Sequence, residues 1–318
     1  MSLLLAIKGA GENWAPGPWK TRFAERLPGR GVLAPDEALA SPAAVRYAAV
    51  WKPEPGLLAR FPRLEVIFNL GAGVDALLQD TTLPAVPIVR VVNEDLTKRM
   101  TEYVVMHTLM HHRQHVRLAK AQQDKRWDTP DQWAAGALRV GLLGLGELGR
   151  DAAEVLVRIG FQVAGWSRTP RTLPHVATYA GAEGLAPFLA RTDILVVLLP
   201  LTPDTKGILN RRLFEGLARD GVLGAPVVIN AGRGGLQIEA DILACLDDGT
   251  LGAATLDVFE TEPLPPASRL WSHPKVTVTP HNAADSSPGA ISDYVARQIL
   301  DHEAGKPLRN VVDRRQGY

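Results

Sequence analysis

The chain has 318 residues, enough at roughly 150 per domain for two domains. Its 35 basic and 34 acidic residues leave a formal net charge of +1, which argues against a nucleic-acid coat or a membrane-surface protein, since both need a basic excess. Cys245 is the single cysteine, so an internal disulfide and a cysteine-built zinc site are excluded.

The apolar run at Leu3–Ile7 is shorter than the about 7–15 residues of a secretory signal. The longest apolar run, Ile194 to Leu201, falls well short of the roughly 20 residues of a membrane helix. A soluble, cytoplasmic protein with no membrane partner is expected. Leu3–Ile7, Tyr47–Val50, Glu65–Asn69 and Ile88–Val92 then read as buried strands, rich in β-branched and aliphatic residues and bounded by Gly, Pro or charge. Trp19–Leu27 and Gly56–Phe61 supply helices between them, and strands alternating with helices imply a parallel, doubly wound sheet.

From Thr101 to about Arg126 the chain runs without Gly or Pro, which predicts one long helix. A second strand–helix series follows, with strands at Leu138–Leu143, Gln162–Trp166, Asp193–Leu199, Pro226–Ala231, Ala253–Val258 and Val276–Thr279. Helices are expected at Leu148–Ile159 and Glu239–Asp248, and a last one at Pro288–Glu303 returns the chain to the first lobe. Six strands with crossovers match the dinucleotide-binding fold. The expected organisation is α/β, with two doubly wound parallel-sheet domains. A Rossmann cofactor domain, residues 102–284, is inserted in a flavodoxin-like substrate domain made of 1–101 and 285–318.

Gly144-Leu145-Gly146-Glu147-Leu148-Gly149 is a GxGxxG stretch. Alone it is weak, and a glycine-rich strand–helix turn without a ligand is the alternative. Here a predicted strand precedes it and a predicted helix follows, the order that lets backbone approach a pyrophosphate at a helix N-terminus. About 20 residues on, where an NAD site carries an acid for the ribose 2′-hydroxyl, stand Ser167 and Arg168, with Arg171 close behind. A carboxylate would repel a 2′-phosphate, whereas a hydroxyl and a guanidinium bind it, so NADPH is favoured over NADH. Arg168 as a plain solvated loop charge would remove only that preference.

Three further segments lie beyond strand ends: Asn230-Ala-Gly-Arg-Gly-Gly235, Asp257-Val-Phe-Glu-Thr-Glu-Pro-Leu-Pro265 and Thr279-Pro-His-Asn-Ala-Ala284. With the glycine loop and Leu199-Pro-Leu-Thr-Pro-Asp-Thr-Lys-Gly207, they make the chain resemble the D-isomer-specific 2-hydroxyacid dehydrogenases from about Asn69 to its end. Val50-Trp-Lys-Pro53, Leu70-Gly-Ala-Gly-Val-Asp75 and Asn310-Val-Val-Asp-Arg-Arg-Gln-Gly-Tyr318 bring it nearest to the glyoxylate/hydroxypyruvate reductase A type. Asn69 and Asn282 depart from the serine and the aliphatic residue usual at those positions.

The resemblance implies NADPH-dependent reduction of a small 2-keto acid, glyoxylate or hydroxypyruvate, in a typically dimeric enzyme. Arg233 would hold the planar keto acid, His281 would protonate its carbonyl oxygen and Glu262 would fix the imidazole tautomer. Leu199, Pro200, Thr205, Ala231, Gly232, Asp257, His281 and Ala283 would join the glycine loop, Ser167 and Arg168 around the cofactor. Trp51, Ala72 and Gly73 would meet the substrate from the first lobe, Trp51 as a cap on the pocket or else as a core tryptophan. The keto acid would lie between lobes whose closure excludes water.

His107, His111, His112 and His115 crowd one stretch at i, i+4 spacing, able in principle to chelate zinc. No HExxH glutamate accompanies them, and no metal is expected. The rival readings are a reductase of a larger acid such as phenylpyruvate and, from another class, a dinucleotide-sensing corepressor-like binding protein.

Overall fold

Five short aliphatic strands build the first of two units, Met1–Leu96 with Ser286–Tyr318. A computed structural model describes residues 1–8 and 14–317; Tyr318, the end of the C-terminal stretch singled out above, lies outside the described residues. The elements run β1 (Ser2–Ile7), α1 (Pro16–Arg26), β2 (Gly31–Leu33), α2 (Pro35–Leu39), β3 (Val45–Trp51), β4 (Val66–Asn69), α3 (Asp75–Leu78) and β5 (Ile88–Arg90). The sheet is parallel in the order β2-β1-β3-β4-β5, the flavodoxin-like arrangement.

Side chains along each strand point alternately to the two faces. Leu3, Leu5, Tyr47, Ala49, Val66 and Phe68 pack with Trp19 and Phe23 of α1 and with Ile291, Val295 and Ile299 of the helix Pro288–Glu303. Leu4, Ala6, Ala48, Val50 and Ile67 face the other way, onto Leu58, Phe61, Val74 and Leu77. Ser287 starts the C-terminal helix by accepting the Ala290 N–H at 3.2 Å, with Pro288 in the first turn, where its missing donor costs nothing. The helix expected over Gly56–Phe61 is a single 3-10 turn at Leu58–Arg60. Only Leu58 and Phe61 there are buried in the core, with Leu57 packed at its edge, too few apolar positions to hold a longer helix down.

The second unit, Thr97–Asp285, carries a seven-stranded parallel sheet. It is entered within α4 (Glu94–His112), after which come α5 (His115–Gln123), β6 (Arg139–Leu143), α6 (Glu147–Ile159), β7 (Gln162–Ser167), β8 (Ala177–Ala180), α7 (Gly181–Leu189), β9 (Ile194–Val197), α8 (Arg211–Glu215), β10 (Val227–Asn230), α9 (Glu239–Asp247), β11 (Ala253–Leu256), β12 (Val276–Val278) and α10 (Pro288–Glu303), the last back in the first unit. The order β12-β11-β10-β9-β6-β7-β8 is the Rossmann order with one added strand, and the chain reverses direction across the sheet between β6 and β9. Central strands are buried on both faces and so read as unbroken apolar runs. Leu195, Val197 and Val228 serve one core, Ile194, Val196 and Ile229 the other.

The single helix expected from Thr101 to about Arg126 is two. Gln114 adopts the left-handed conformation (φ 53°) and splits α4 from α5. Nothing in the composition marks the break. It is held by contacts with a distant stretch: Arg113 Nε donates to Gln132 Oε1 at 2.7 Å and Gln114 Nε2 to the Asp131 carbonyl at 2.6 Å. The sheet also has seven strands where six were expected, because β8 is a half-exposed edge strand, Ala-Thr-Tyr-Ala, with no apolar run to reveal it.

Candidate active site

The glycine loop leaves the end of β6, beside the point where the sheet reverses. Gly144 has φ 117°, and a Cβ there would lie 2.9 Å from the Leu198 carbonyl oxygen. A Cβ on Gly149 would lie 1.9 Å from the Gly144 carbonyl oxygen, so α6 can approach β6 only through glycine. At Gly146 a Cβ would meet nothing within 4 Å. One glycine makes the turn, one packs the helix, and the middle one faces open space, as a pyrophosphate site requires. Gly146 is also the N-cap of α6 and no side chain caps it, which leaves first-turn N–H groups for an anion. The Leu145 side chain is buried over Gly165, whereas Glu147 is exposed and paired with Arg150 at 2.6 Å. Leu148 packs at the edge of the core.

Ser167 ends β7 and donates to the Thr169 carbonyl at 2.8 Å, folding back the loop that carries exposed Arg168. Beyond β9, Thr205 Oγ1 donates to the Pro200 carbonyl at 2.8 Å and accepts the Thr202 N–H at 2.8 Å, closing the loop that begins at buried Leu199. Thr205 thus shapes its own loop.

Beyond β10, Asn230 builds the turn that carries Arg233. Its Oδ1 accepts the Gly232 N–H at 3.0 Å, and its Nδ2 donates to the Arg233 carbonyl at 3.2 Å and to Gln237 Oε1 at 2.8 Å. Gln237 in turn donates to the Val258 carbonyl at 2.9 Å, joining this turn to the segment after β11. Ala231 is buried, and a Cβ on Gly232 would lie 2.9 Å from the Leu199 carbonyl oxygen. Gly234 lies so close to Phe259 that a Cβ would sit 1.8 Å from its carbonyl oxygen.

Phe259 also supports the acid–histidine pair. Its N–H donates to Glu262 Oε1 at 3.1 Å, and Glu262 Oε2 meets His281 Nδ1 at 2.7 Å. A carboxylate accepts only, so Nδ1 carries its proton toward Glu262 and Nε2 is the ring nitrogen that the carboxylate does not engage. His281 has φ 53°, a conformation that costs a non-glycine residue on the order of 1–3 kcal/mol. It is held by bonds from its N–H to the Asp257 and Thr279 carbonyls at 2.8 and 3.1 Å. The Asp257 carboxylate is buried: Oδ1 accepts Thr279 Oγ1 at 2.6 Å and the Asn282 N–H at 3.0 Å, and Oδ2 accepts the Ala283 N–H at 3.1 Å. Arg233, Glu262 and His281 therefore stand on three interlocked loops after three adjacent strands.

A family model for the D-isomer specific 2-hydroxyacid dehydrogenase, NAD binding domain, matches residues 105–283. The chain belongs to the D-isomer specific 2-hydroxyacid dehydrogenases. Glyoxylate/hydroxypyruvate reductase A of Serratia proteamaculans (strain 568) is 42% identical over 306 residues, covering 94% of this dehydrogenase and 96% of that protein. The crystal structure of NADPH-dependent glyoxylate/hydroxypyruvate reductase from Sinorhizobium meliloti, in complex with NADP and sulfate, is similar at a TM-score of 0.92 and 48% identity over 100% of this chain and 99% of that one. A probable 2-hydroxyacid dehydrogenase from Rhizobium etli CFN 42, in complex with NADP, HEPES and L(+)-tartaric acid, matches with a TM-score of 0.93 and 44% identity over 100% and 99%. The resemblance seen in the motifs and the α/β architecture are borne out.

In the dehydrogenase's first unit, Trp51 ends β3 and its ring lies against the loop after β4: a Cβ on Gly71 would come within 2.4 Å of it. Trp51 also stacks on Trp14, centroids 4.9 Å apart. Asn69, the departure from serine, donates to the Gly71 and Gly73 carbonyls at 2.8 and 3.0 Å and so shapes the loop that carries Ala72 and Gly73.

The histidine stretch divides. His107, His111 and His112 are buried and His115 is exposed. His111 Nε2 bonds Thr255 Oγ1 at 2.8 Å, and burial lowers its pKa to about 4; burial also lowers His107 and His112. Among the described residues no group of three or more His, Cys, Asp or Glu side chains is arranged to hold a metal ion. Sequence reasoning passed over Asn230, Gln237 and Thr279. Asn230 could have been found, since an Asn opening a Gly-rich turn is a side-chain cap for it. The other two act across gaps of about 20 residues that no local pattern reveals.

Proposed function

We propose that this dehydrogenase reduces glyoxylate and hydroxypyruvate with NADPH, giving glycolate and D-glycerate. The observation that carries the reading is the 2.7 Å Glu262–His281 pair, locked through Phe259 to the turn that bears Arg233. A cation, a proton donor and a carboxylate that orients it are what reduction of an anionic ketone needs. NADPH fits the chain's own features: open space at Gly146, α6 without a side-chain cap, and Ser167 with Arg168 where an acid would repel a 2′-phosphate. The relatives of known structure named above hold NADP, which supports the same choice. Bound there, the dinucleotide supplies a hydride for the keto carbon.

Arg233 grips the carboxylate and keto oxygen of the substrate through its fork and draws electron density from the carbon under attack. His281 gives the proton on Nε2 to the keto oxygen, and Glu262 keeps Nδ1 protonated and steadies the charged ring. Ala72, Gly73 and Trp51 of the unit Met1–Leu96 with Ser286–Tyr318, which we take as the substrate domain, supply loop N–H groups and an apolar wall; Thr97–Asp285 is the cofactor domain. The cofactor segments are the loops at 144–149, 167–168, 199–205, 231–232, 257 and 281–283.

We further infer a homodimer built on the α4–α5 region, because Met106 and Val116 are exposed there and Trp127 is 95% exposed. A cytoplasmic setting fits a chain whose one cysteine, Cys245, is a free, buried thiol. No helix among the described residues is long and apolar enough to cross a membrane.

The test is steady-state oxidation of NADPH with glyoxylate, hydroxypyruvate and phenylpyruvate, repeated with NADH. The two small acids should turn over with kcat/KM at least about tenfold above phenylpyruvate. Turnover of phenylpyruvate alone would overturn the substrate reading. Tight NADPH binding with no turnover of any keto acid would establish the corepressor-like alternative.

A further inference from the structure

Asp257 is not the end of the hydrogen-bond chain beneath the histidine. Thr279 Oγ1, which donates to Asp257 Oδ1 at 2.6 Å, is itself 2.8 Å from the hydroxyl of Tyr103 on α4, a residue 176 positions away in sequence. The directions follow from chemistry. Asp257 offers only acceptors, so the one proton of Thr279 goes to it, and Thr279 must accept from Tyr103. Burial pushes the Tyr103 phenol well above its ordinary pKa, so it stays protonated and able to donate. The Tyr103 ring is fixed by the His107 ring, with centroids 4.2 Å apart. Helix α4 and the stretch after β12 thus converge on the carboxylate that follows β11, and that carboxylate grips the N–H groups of Asn282 and Ala283, next to the left-handed His281.

We propose that Tyr103 and Thr279 are positioning residues for the reduction. They act through Asp257 to keep the His281 backbone left-handed and so hold its imidazole against Glu262. The proposal rests on His281 as the proton donor. Neither hydroxyl is offered as a proton path, since each is already committed to the next group in the chain. Their work is done before substrate arrives, by fixing which way Asp257 points and which loop N–H groups it can reach.

The experiment compares Tyr103→Phe, Thr279→Val, Thr279→Ser and the Phe/Val double variant in NADPH-dependent glyoxylate reduction. Tyr103→Phe keeps the ring and its packing, and Thr279→Ser keeps the hydroxyl. Thr279→Val should lower kcat about tenfold, the scale of losing one hydrogen bond to a charged group. Tyr103→Phe should lower it less, Thr279→Ser should restore it, and the double variant should be no worse than Thr279→Val, because both act along one chain. Wild-type kcat in Thr279→Val, or losses that multiply in the double variant, would overturn the proposal. His281→Asn separates the two levels. If it retains full activity the proton-donor reading fails, whereas if it is inactive and the Val variant is not impaired only the positioning role fails.

Discussion

At the scale of single residues, the site joins two kinds of side chain. Some are proposed to touch the reactants, and others hold those in place through bonds that span the sequence. Arg233 is proposed as one of the first kind, and its turn is built by Asn230. Arg233→Ala should raise KM for glyoxylate and lower kcat together, by about a hundredfold or more in kcat/KM, since the guanidinium is asked both to bind the carboxylate and to polarise the ketone. Unchanged steady-state kinetics would remove it from the site. Ser167 and Arg168 sit where the second strand of the Rossmann unit ends. Ser167→Asp with Arg168→Ala should swing kcat/KM toward NADH by about tenfold or more, because a carboxylate repels the 2′-phosphate and accepts from a free 2′-hydroxyl. An unmoved NADPH/NADH ratio would show that other side chains choose the cofactor. The residues proposed to meet reactants were legible because their chemistry shows in short runs such as Asn-Ala-Gly-Arg and Pro-His-Asn-Ala. Tyr103 was not, because an aromatic at a helical position reads as core and only the folded chain brings its hydroxyl to Thr279.

At the scale of elements, the β6–α6 unit shows how three glycines divide the work. Gly149→Ala puts a methyl 1.9 Å from the Gly144 carbonyl oxygen, so α6 must shift away from the strand. That overpacking should cost about 1–3 kcal/mol of stability and weaken NADPH binding as well. Gly146→Ala adds a methyl in open space at an extended φ of −72°, which alanine adopts freely. It should leave the melting temperature nearly unchanged while weakening NADPH binding about tenfold or more, because the methyl occupies the surface the pyrophosphate must reach. Thermal melts and fluorescence titrations of the two variants would separate packing from binding. Equal effects of both variants on stability would contradict this division. The turn and helix here were legible because Gly, period and order agree. The α4–α5 break was not, since it depends on the Gln132 side chain and the Asp131 carbonyl and on no local residue preference.

At the scale of the whole molecule, the two sheets were legible as repeated apolar runs, and one edge of each was not. β2 and β8 are short and half-exposed, so neither presents the continuous burial that betrays a central strand. The buried histidines of α4 have a consequence at this scale. His107, His111 and His112 are held neutral in the fold, with burial the largest cause of each lowered pKa, and His111 falls from 6.5 to about 4. Below pH 6.5 the unfolded chain takes up protons that the folded chain refuses. The stability His111 contributes is therefore complete above pH 6.5 and lost as the pH falls toward 4, and His107 and His112 lose theirs in the same direction. For His111 alone the loss at pH 5 is about 2 kcal/mol. Urea midpoints should drop between pH 7.5 and pH 5, and His111→Gln, which keeps a hydrogen-bonding group for Thr255 but cannot titrate, should flatten that drop. An unchanged slope in the Gln variant would mean that His111 protonates without disturbing α4 where it packs on β11.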